Sequence, residues 1–160
     1  MTERPTVGRI AGPADEDAIY HLLLGLEADN GLGFPHEESA VRESIRQGTE
    51  RRGGFVFVID APDEPGKIIA SLGVHFGKFW YSNASYLHET WLFVDPAYRR
   101  GTGYADVLMQ WARWLHAAFK QAQGEDVPFF TSVTSRKRFE AKRRWWSRRG
   151  TQIGAIYLLR

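Results

Sequence analysis

Apolar residues in the first third of the chain recur with the period of an α-helix. Acidic residues at 15–17 precede them, at the end of a helix where the dipole favours carboxylates. The apolar positions share one helix face and are Ile19, Leu22, Leu23 and Leu26. The pattern predicts a helix that stops before Gly31. A second, more polar helix is predicted over 37–49, with Val41 and Ile45 facing inward.

Runs of β-branched and aromatic residues predict the strands. These strands lie at about 7–10, 55–59, 67–76, 86–94, 127–133 and 153–159. The polar turn at 60–66 separates the second and third strands, so we expect those two to pair as a hairpin. The aromatic-rich residues 77–85 fit either an extension of the third strand or a loop.

Two further helices are predicted in the second half of the chain. The first, over 103–121, has a continuous apolar stripe made of Tyr104, Val107, Leu108, Trp111, Leu115 and Ala118. The second is a basic helix over 136–148, with Gly150 as its C-terminal cap. The resulting order, β-α-α-β-β-β-α-β-α-β, predicts an α/β fold around a mixed sheet. A chain of 160 residues is the size of a single domain.

The amino-acid composition excludes several kinds of functional site. The absence of cysteine excludes disulfides, thiolate nucleophiles and cysteine-based metal sites. The five histidines are scattered without the spacing of a metal pair, so no metal is expected. The sequence has neither the apolar run of a membrane span nor that of a signal peptide. We therefore expect a cytoplasmic protein with no membrane partner.

The most informative stretch follows the strand that ends at Val94. A turn through Asp95-Pro96 leads to Arg100-x-x-Gly103-x-Ala105, and a helical pattern starts at once. The first N–H groups of a helix have no partner within it and carry partial positive charge, so such a turn can bind an anion. The segment predicted to bind phosphate comprises Arg99, Arg100, Gly101, Thr102, Gly103, Tyr104 and Ala105. The alternative is a plain turn that needs glycine for its geometry.

This segment resembles the acetyl-CoA pyrophosphate loop of the GNAT N-acyltransferases, whose signature is Arg/Gln-x-x-Gly-x-Gly/Ala. The order of elements is similar to the GNAT order over the whole chain. The resemblance implies one N-acetyltransferase domain over 1–160, with acetyl-CoA as co-substrate and a primary amine as acceptor. It also implies that the strand before the loop splays from its neighbour. The main chain of Leu92, Phe93 and Val94 would then pair with the pantetheine arm and orient the thioester carbonyl.

The reaction needs a base, because an alkyl amine is mostly protonated at neutral pH. Glu89 lies three residues before Leu92 on the same strand, where GNAT enzymes often carry a base. An edge carboxylate, or an ion-pair partner for an arginine, is an equal alternative for Glu89. His88 is the second candidate base, although strand alternation points it to the opposite face. His75, on the neighbouring strand, is the third.

The C-terminal half departs from the family pattern. Trp146 stands four residues before Gly150, where the family has a tyrosine that protonates the departing thiolate. Phe139 replaces the usual asparagine seven residues earlier. Water, or a tyrosine from elsewhere such as Tyr104 or Tyr157, would have to serve as the acid. Without cysteine to carry an acyl group, direct transfer in a ternary complex is favoured.

Charge is concentrated in the basic helix. Residues 136–149 have a net charge of +7, so the rest of the chain is at about −5. Three interpretations of the basic segment stay open. It is a solvated helix face, it attracts the phosphates of CoA, or it binds nucleic acid. A non-catalytic CoA-binding or nucleic-acid-associated protein is thus the rival function, although nucleic acid is not the expected partner.

The acceptor amine stays open between small molecules and peptides. The loop at 31–36 would border its site, with nearby acids that suit a cationic amine: Glu27, Asp29, Glu37 and Glu38. GNAT-like proteins are often dimers, so a homodimer is as compatible with the resemblance as a monomer.

Overall fold

The computed structural model describes residues 3–30, 36–124, 126–132 and 139–152. Its helices are α1 (Glu16–Asn30), α2 (Glu38–Thr49), α3 (Tyr104–Gln123) and α4 (Phe139–Ser147). Its strands are β1 (Arg9–Ile10), β2 (Gly54–Asp60), β3 (Ile68–Lys78), β4 (Ser85–Val94) and β5 (Phe129–Phe130). Short 3-10 turns at Pro13–Asp15 and Pro96–Tyr98 precede α1 and follow β4.

The five strands form one mixed sheet in the order β1-β2-β3-β4-β5. The pairs β1–β2, β2–β3 and β3–β4 are antiparallel, and β4–β5 is parallel. The register of β3 against β4 shifts between Gly73 and Val74, where β4 contains one extra residue. This α/β arrangement around a mixed sheet confirms the predicted fold class.

Helices cover both faces of the sheet because alternate strand residues supply two cores. On one face, Ile19 of α1 and Ile45 of α2 pack with Trp91 and Phe93 of β4. On the other face, α3 packs on the sheet through a fully buried Trp111. The helix faces predicted from periodicity are largely those that the cores use, but Ala118, predicted on the apolar stripe of α3, is exposed, and Phe119 packs against the core instead.

The element boundaries differ from the predictions most clearly in three places. The strand predicted over 127–133 covers only Phe129–Phe130, and residues 127–128 and 131–132 are not in a strand; Pro128 has no N–H to donate to the sheet. The first strand covers only Arg9–Ile10 rather than 7–10, because Gly8 has φ +81 and so lies outside extended geometry. The aromatic stretch 77–85 divides: β3 runs to Lys78, β4 starts at Ser85, and a loop joins them.

Parts of the remaining predictions lie outside the described residues. They are the closing strand at 153–159, the start of the basic helix at 136–138, the end of the strand predicted to reach 133, and the loop at 31–35. Within the described ranges, no helix combines the length and apolar character that crossing a membrane requires.

Candidate active site

The glycine turn before α3 is open to a ligand. Gly101 and Gly103 have φ +73 and +67, in the left-handed region that side chains disfavour. A Cβ placed on either glycine would meet nothing within 4 Å. Gly103 caps α3, and its carbonyl accepts from the N–H groups of Asp106 and Val107 at 2.9 and 3.1 Å. The earlier N–H groups of the first turn therefore have no acceptor within the helix.

The two arginines before this turn occupy different environments. The Arg99 guanidinium donates to the carbonyl of Val94 at 2.7 Å and to the carboxylate of Asp29 at 2.8 Å. It also lies over the Phe93 ring, 5.0 Å from the centroid. Arg99 thus ties the end of β4 to the end of α1. Arg100 is exposed at the tip of the turn.

A second arginine clamp holds α4 against the start of α3. Arg149 donates to the carboxylate of Asp106 and to the carbonyl of Trp145, and its guanidinium lies 3.9 Å from the Trp145 ring centroid. Asp106 would otherwise place an unneutralised negative charge in the first turn of α3. Its pairing with Arg149 keeps that end of the helix favourable for an anion.

Strands β4 and β5 pair over a short region only. Their described register comprises two pairs, Leu87 with Phe129 and His88 with Phe130. The next residues of the two chains, from Glu89 onward in β4 and from Thr131 onward after β5, are not paired with each other within the described ranges. Glu89 is thus the first β4 residue beyond the described pairing with β5, and we call its position the apex of the cleft.

A cleft of about 570 Å³ extends from this apex to the glycine turn. Its walls are Leu26 and Asp29 of α1, residues 89–94 of β4, Arg99, residues 102–106, Ser132, and Ala141, Lys142, Trp145 and Trp146 of α4. One continuous space therefore joins a possible anion site to a carboxyl group.

The Glu89 carboxyl is enclosed by protein although the residue as a whole is half-buried. The Thr131 side chain hydrogen-bonds it, and the charge of Lys142 acts on it. Its Oε2 atom is buried and has no partner among the described residues. Burial raises the pKa of Glu89 to about 7, although Thr131 and Lys142 both act to lower it. Glu89 therefore exchanges protons close to neutral pH.

The bulge in β4 decides which way Glu89 faces. Val74 pairs with Glu89 while Gly73 pairs with Trp91, so Thr90 is the extra residue. Regular alternation would put Glu89 on the face of Trp91. The bulge instead places it on the α3 face, where Leu87 and Val94 belong to the core.

The two histidines lie on the opposite face and form their own cluster. The His75 and His88 ring centroids are 4.9 Å apart, and His75 Nδ1 is 3.1 Å from the hydroxyl of Thr90. Burial lowers the pKa of both histidines, and the charge of His75 lowers that of His88 further. Both are therefore neutral at pH 7. His88 is not among the residues that line the cleft.

Helix α4 supplies an ammonium group to the same space. Lys142 and Trp146 are four residues apart, so they share one helix face, and both line the cleft. Tyr104, a proposed proton donor, lines the cleft at the glycine turn, whereas Tyr157 lies outside the described residues. Lys142 thus shares the cleft-lining face of α4 with Trp146.

The structure brings most of the predicted site residues to one cleft. Those that line it are Glu89, Leu92, Phe93, Val94, Arg99, Thr102, Gly103, Tyr104 and Ala105. Arg100 and Gly101 are exposed beside it. Sequence reasoning missed Thr131, Lys142 and the Asp106–Arg149 pair. The four-residue spacing of Lys142 from Trp146 was the available signal for Lys142.

The four acids expected near the acceptor all have partners. Glu27 contacts His36 and Asp29 pairs with Arg99. Glu37 accepts from Ser39, and Glu38 pairs with Arg42. Across the described residues, no cluster of three or more histidine, cysteine or acidic side chains could hold a metal ion.

The chain is similar to one family of known proteins. The model of the acetyltransferase (GNAT) family matches residues 18–150. No curated protein matches the chain.

Solved structures with the same fold align over nearly the whole chain. The BH1408 protein from Bacillus halodurans, solved as a tetramutant, has a TM-score of 0.71 at 19% identity, covering 97% of this chain and 99% of its own. A possible acetyltransferase from Clostridium difficile 630 has a TM-score of 0.69 at 17% identity, with 96% and 95% covered. An aminoglycoside acetyltransferase from an uncultured soil metagenomic sample has a TM-score of 0.65 at 17% identity, with 94% of each chain covered.

Proposed function

Because the chain belongs to the acetyltransferase (GNAT) family, we propose that it transfers the acetyl group of acetyl-CoA to a primary amine by direct attack in a ternary complex. The observation that carries this proposal is Glu89, a carboxyl with a pKa of about 7 at the apex of the cleft. A general base is most effective when its pKa is near the working pH. Acetyl-CoA supplies the activated acetyl group, and the protein supplies orientation and proton transfer.

The glycine turn fits the diphosphate of CoA. The first N–H groups of α3 point out of the helix end, and no side chain blocks Gly101 or Gly103. Arg100 is exposed beside the turn and adds a charged donor. We assign Arg99 a positioning role, because its guanidinium already binds Val94 and Asp29.

The open edge of β4 fits an extended chain. Leu92, Phe93 and Val94 line the cleft and lie beyond the residues of β4 that pair with β5 within the described ranges. Their backbone N–H and C=O groups on that edge are suited to pair with the amides of a pantetheine arm, as an added strand would. That pairing would direct the acetyl group toward the apex, which is where Glu89 lies.

Glu89 then takes a proton from the acceptor ammonium through a water molecule, because its carboxyl is enclosed by protein. The neutral amine nitrogen bonds to the acetyl carbon, the carbon–sulfur bond breaks, and the sulfur leaves with its electron pair. The second proton of the nitrogen passes to the thiolate, either directly or through Lys142, which then regains the proton that it gave. Lys142 lies on the cleft wall and can stabilise that negative charge or supply its proton. Lys142 thereby takes the role of the tyrosine that the family pattern places at position 146, although Lys142 stands at a different position.

The experiment that tests the proposal separates binding from transfer. Calorimetry first measures the dissociation constant for acetyl-CoA, and release of free thiol is then followed with a panel of primary amines. We expect binding in the micromolar range typical of enzyme substrates, together with amine-dependent thiol release. A folded protein that gave no heat with acetyl-CoA would contradict the proposal. Binding without amine-dependent thiol release would support the non-catalytic rival.

A further inference from the structure

Glu89 lies between two residues whose side chains contact the same group on the neighbouring strand. His75 of β3 pairs with His88 of β4, and their ring centroids are 4.9 Å apart. The Nδ1 atom of His75 is also 3.1 Å from the hydroxyl of Thr90. The side chains of His88 and Thr90 therefore lie on the face of the sheet that His75 occupies. Because successive side chains of a strand point to opposite faces, Glu89 is directed to the other face.

Strand β3 contacts two consecutive residues of β4 from one face. Ser71 and His75 are four positions apart on β3, so their side chains share a face. Ser71 Oγ accepts a hydrogen bond from Trp91 Nε1 at 3.0 Å, whereas His75 contacts Thr90, which directly precedes Trp91. Regular alternation would put Thr90 and Trp91 on opposite faces. The two contacts thus hold the extra residue of the bulge at Thr90.

The residue after the bulge is fixed by shape as well as by its hydrogen bond. A Cβ on Gly73, which pairs with Trp91, would lie 2.6 Å from the Trp91 ring. Glycine at this position therefore lets the indole lie across β3. Trp91 and Ser71 are both buried. A shift of the extra residue toward the end of β4 would thus displace a buried ring.

These packed residues do not by themselves prevent a shift in the other direction. If the extra residue were His88 instead of Thr90, the pairs on either side would keep their register. They are Leu87 with Phe76 and Trp91 with Gly73. Glu89 would then pair with His75, and its carboxyl would lie on the face opposite α3. The contacts of His75 with His88 and Thr90 are what this alternative loses.

The position of His75 is itself restrained by its neighbours. A Cβ on Gly54 of β2 would lie 2.1 Å from the carbonyl oxygen of Val74, so β2 and β3 approach closely beside His75. The Tyr86 ring meets the His75 ring edge to face, with the centroids 6.4 Å apart. His75 is not among the described residues that line the cleft, and burial lowers its pKa. It is therefore placed to support Glu89 rather than to contact a substrate.

We infer, on the basis of the acetyltransferase function proposed above, that His75 is a positioning residue for Glu89. It holds the two neighbours of Glu89 on one face of the sheet, so the carboxyl between them is directed to the opposite face and the cleft. His75 takes no proton in the reaction and acts on it only through the direction of Glu89.

The test measures the pKa of the Glu89 carboxyl by NMR titration. Glutamate carboxyls are labelled isotopically, and the Glu89 signal is the one that Glu89→Gln lacks. His75→Leu removes the hydrogen bond to Thr90, so the carboxyl should leave its enclosed position and its pKa should fall from about 7 toward 4.5. His75→Asn keeps a hydrogen-bonding group and should keep most of the raised pKa. A pKa that stayed near 7 in folded His75→Leu would overturn the inference.

A matched control and a second pair of variants complete the titration. Tyr86→Leu removes a ring that contacts His75 but leaves the hydrogen bond to Thr90, so the pKa of Glu89 should stay near 7. If His75→Leu does not fold, Thr90→Val removes the same hydrogen bond from its other partner, and Thr90→Ser keeps it. The pKa of Glu89 should fall with valine and not with serine. Equal values for these two variants would count against a role for the bond.

Kinetics separate this inference from the transferase activity itself. With the primary amine that gives the fastest thiol release, His75→Leu should lower kcat/KM at pH 7 by about 10- to 100-fold, since misplacement of a reacting group by about 1 Å can cost the larger factor. The acidic limb of the pH profile should move to lower pH with the pKa of Glu89, and the dissociation constant for acetyl-CoA should stay within about twofold. An unchanged kcat/KM beside a lowered pKa would overturn the positioning role. If the pKa of Glu89 falls in His75→Leu but the unmodified protein transfers no acetyl group, the proposed function fails and the control of Glu89 by His75 stands.

Discussion

The two ends of the cleft are built in opposite ways. At the end proposed to bind phosphate, which we call the phosphate end, the groups available to a ligand are backbone N–H groups beside Gly101 and Gly103. They belong to a turn that a short stretch of sequence specifies. At the other end, which we call the chemical end, the proposed base is the side chain of Glu89. Its surroundings include Thr131 and Lys142, which come from distant parts of the chain. The phosphate end is open and is formed by residues that are adjacent in sequence. The chemical end is enclosed and is formed by residues from distant parts of the chain.

The two ends also differ in their effect on the stability of the fold. An open glycine turn costs the fold little, because it satisfies its own geometry and leaves N–H groups to solvent. An enclosed carboxyl is destabilising once it ionises, since burial disfavours the charged form. The chemical end therefore trades stability for a base with a pKa of about 7, and the phosphate end does not.

Removal of the Glu89 charge should have the largest effect. Glu89→Gln keeps the shape of the side chain but cannot accept the amine proton, so we expect kcat/KM to fall by about 10²- to 10⁴-fold. The dissociation constant for acetyl-CoA should stay within about twofold, because the phosphate end is separate. In the unmodified enzyme kcat/KM should rise with pH through about 7 as Glu89 loses its proton. A variant that kept full activity with this pH dependence would contradict the assignment.

The same substitution should stabilise the fold at alkaline pH. The pKa of Glu89 is raised from 4.5 to about 7, so the unfolded chain loses this proton first. The unfolded state then binds fewer protons over this interval, and the free energy of unfolding falls as pH rises from 4.5 to about 7. The shift corresponds to about 3 kcal/mol at 1.36 kcal/mol per pKa unit.

Urea unfolding of both proteins at pH 5 and pH 8 measures this contribution. Glu89→Gln should gain stability relative to the unmodified protein between the two pH values. A difference that stayed constant with pH would show that the Glu89 carboxyl ionises as readily in the fold as in the unfolded chain.

The contrast between the two ends also explains what the sequence could predict. The periodicity of α3 and the turn before it are local, so the sequence placed Gly103 and Ala105 at a helix start. The direction of Glu89 depends on a bulge at Thr90, which no residue type announces. The proximity of Lys142 depends on where α4 lies relative to β4 across the cleft, and Lys142 and Glu89 are 53 positions apart along the chain. Helical spacing identified the face of Lys142 but not what that face meets.

At the phosphate end, reversal of one charge should weaken binding without affecting chemistry. Arg100→Glu should raise the dissociation constant for acetyl-CoA by about 10- to 100-fold, the range for loss of a charged hydrogen bond. The turnover number at saturation should be retained. Arg113→Glu makes the same charge change at an exposed position on α3 and is the matched control, with an expected effect below about twofold. Equal effects of the two substitutions would indicate that the overall charge of the protein, rather than a contact made by Arg100, affects the binding of acetyl-CoA.

Substitution of Lys142 tests whether Lys142 and Glu89 affect each other at the chemical end. Lys142→Met should lower kcat by about tenfold if the ammonium stabilises the leaving sulfur, since a nearby charge of this kind contributes one or more kcal/mol. It should also move the acidic limb of the pH profile to higher pH, because the charge of Lys142 lowers the pKa of Glu89. Lys142→Arg keeps the charge and should preserve the position of that limb. A fall in kcat without movement of the limb would mean that Lys142 acts on the leaving group alone, and that the two charges of this end are independent.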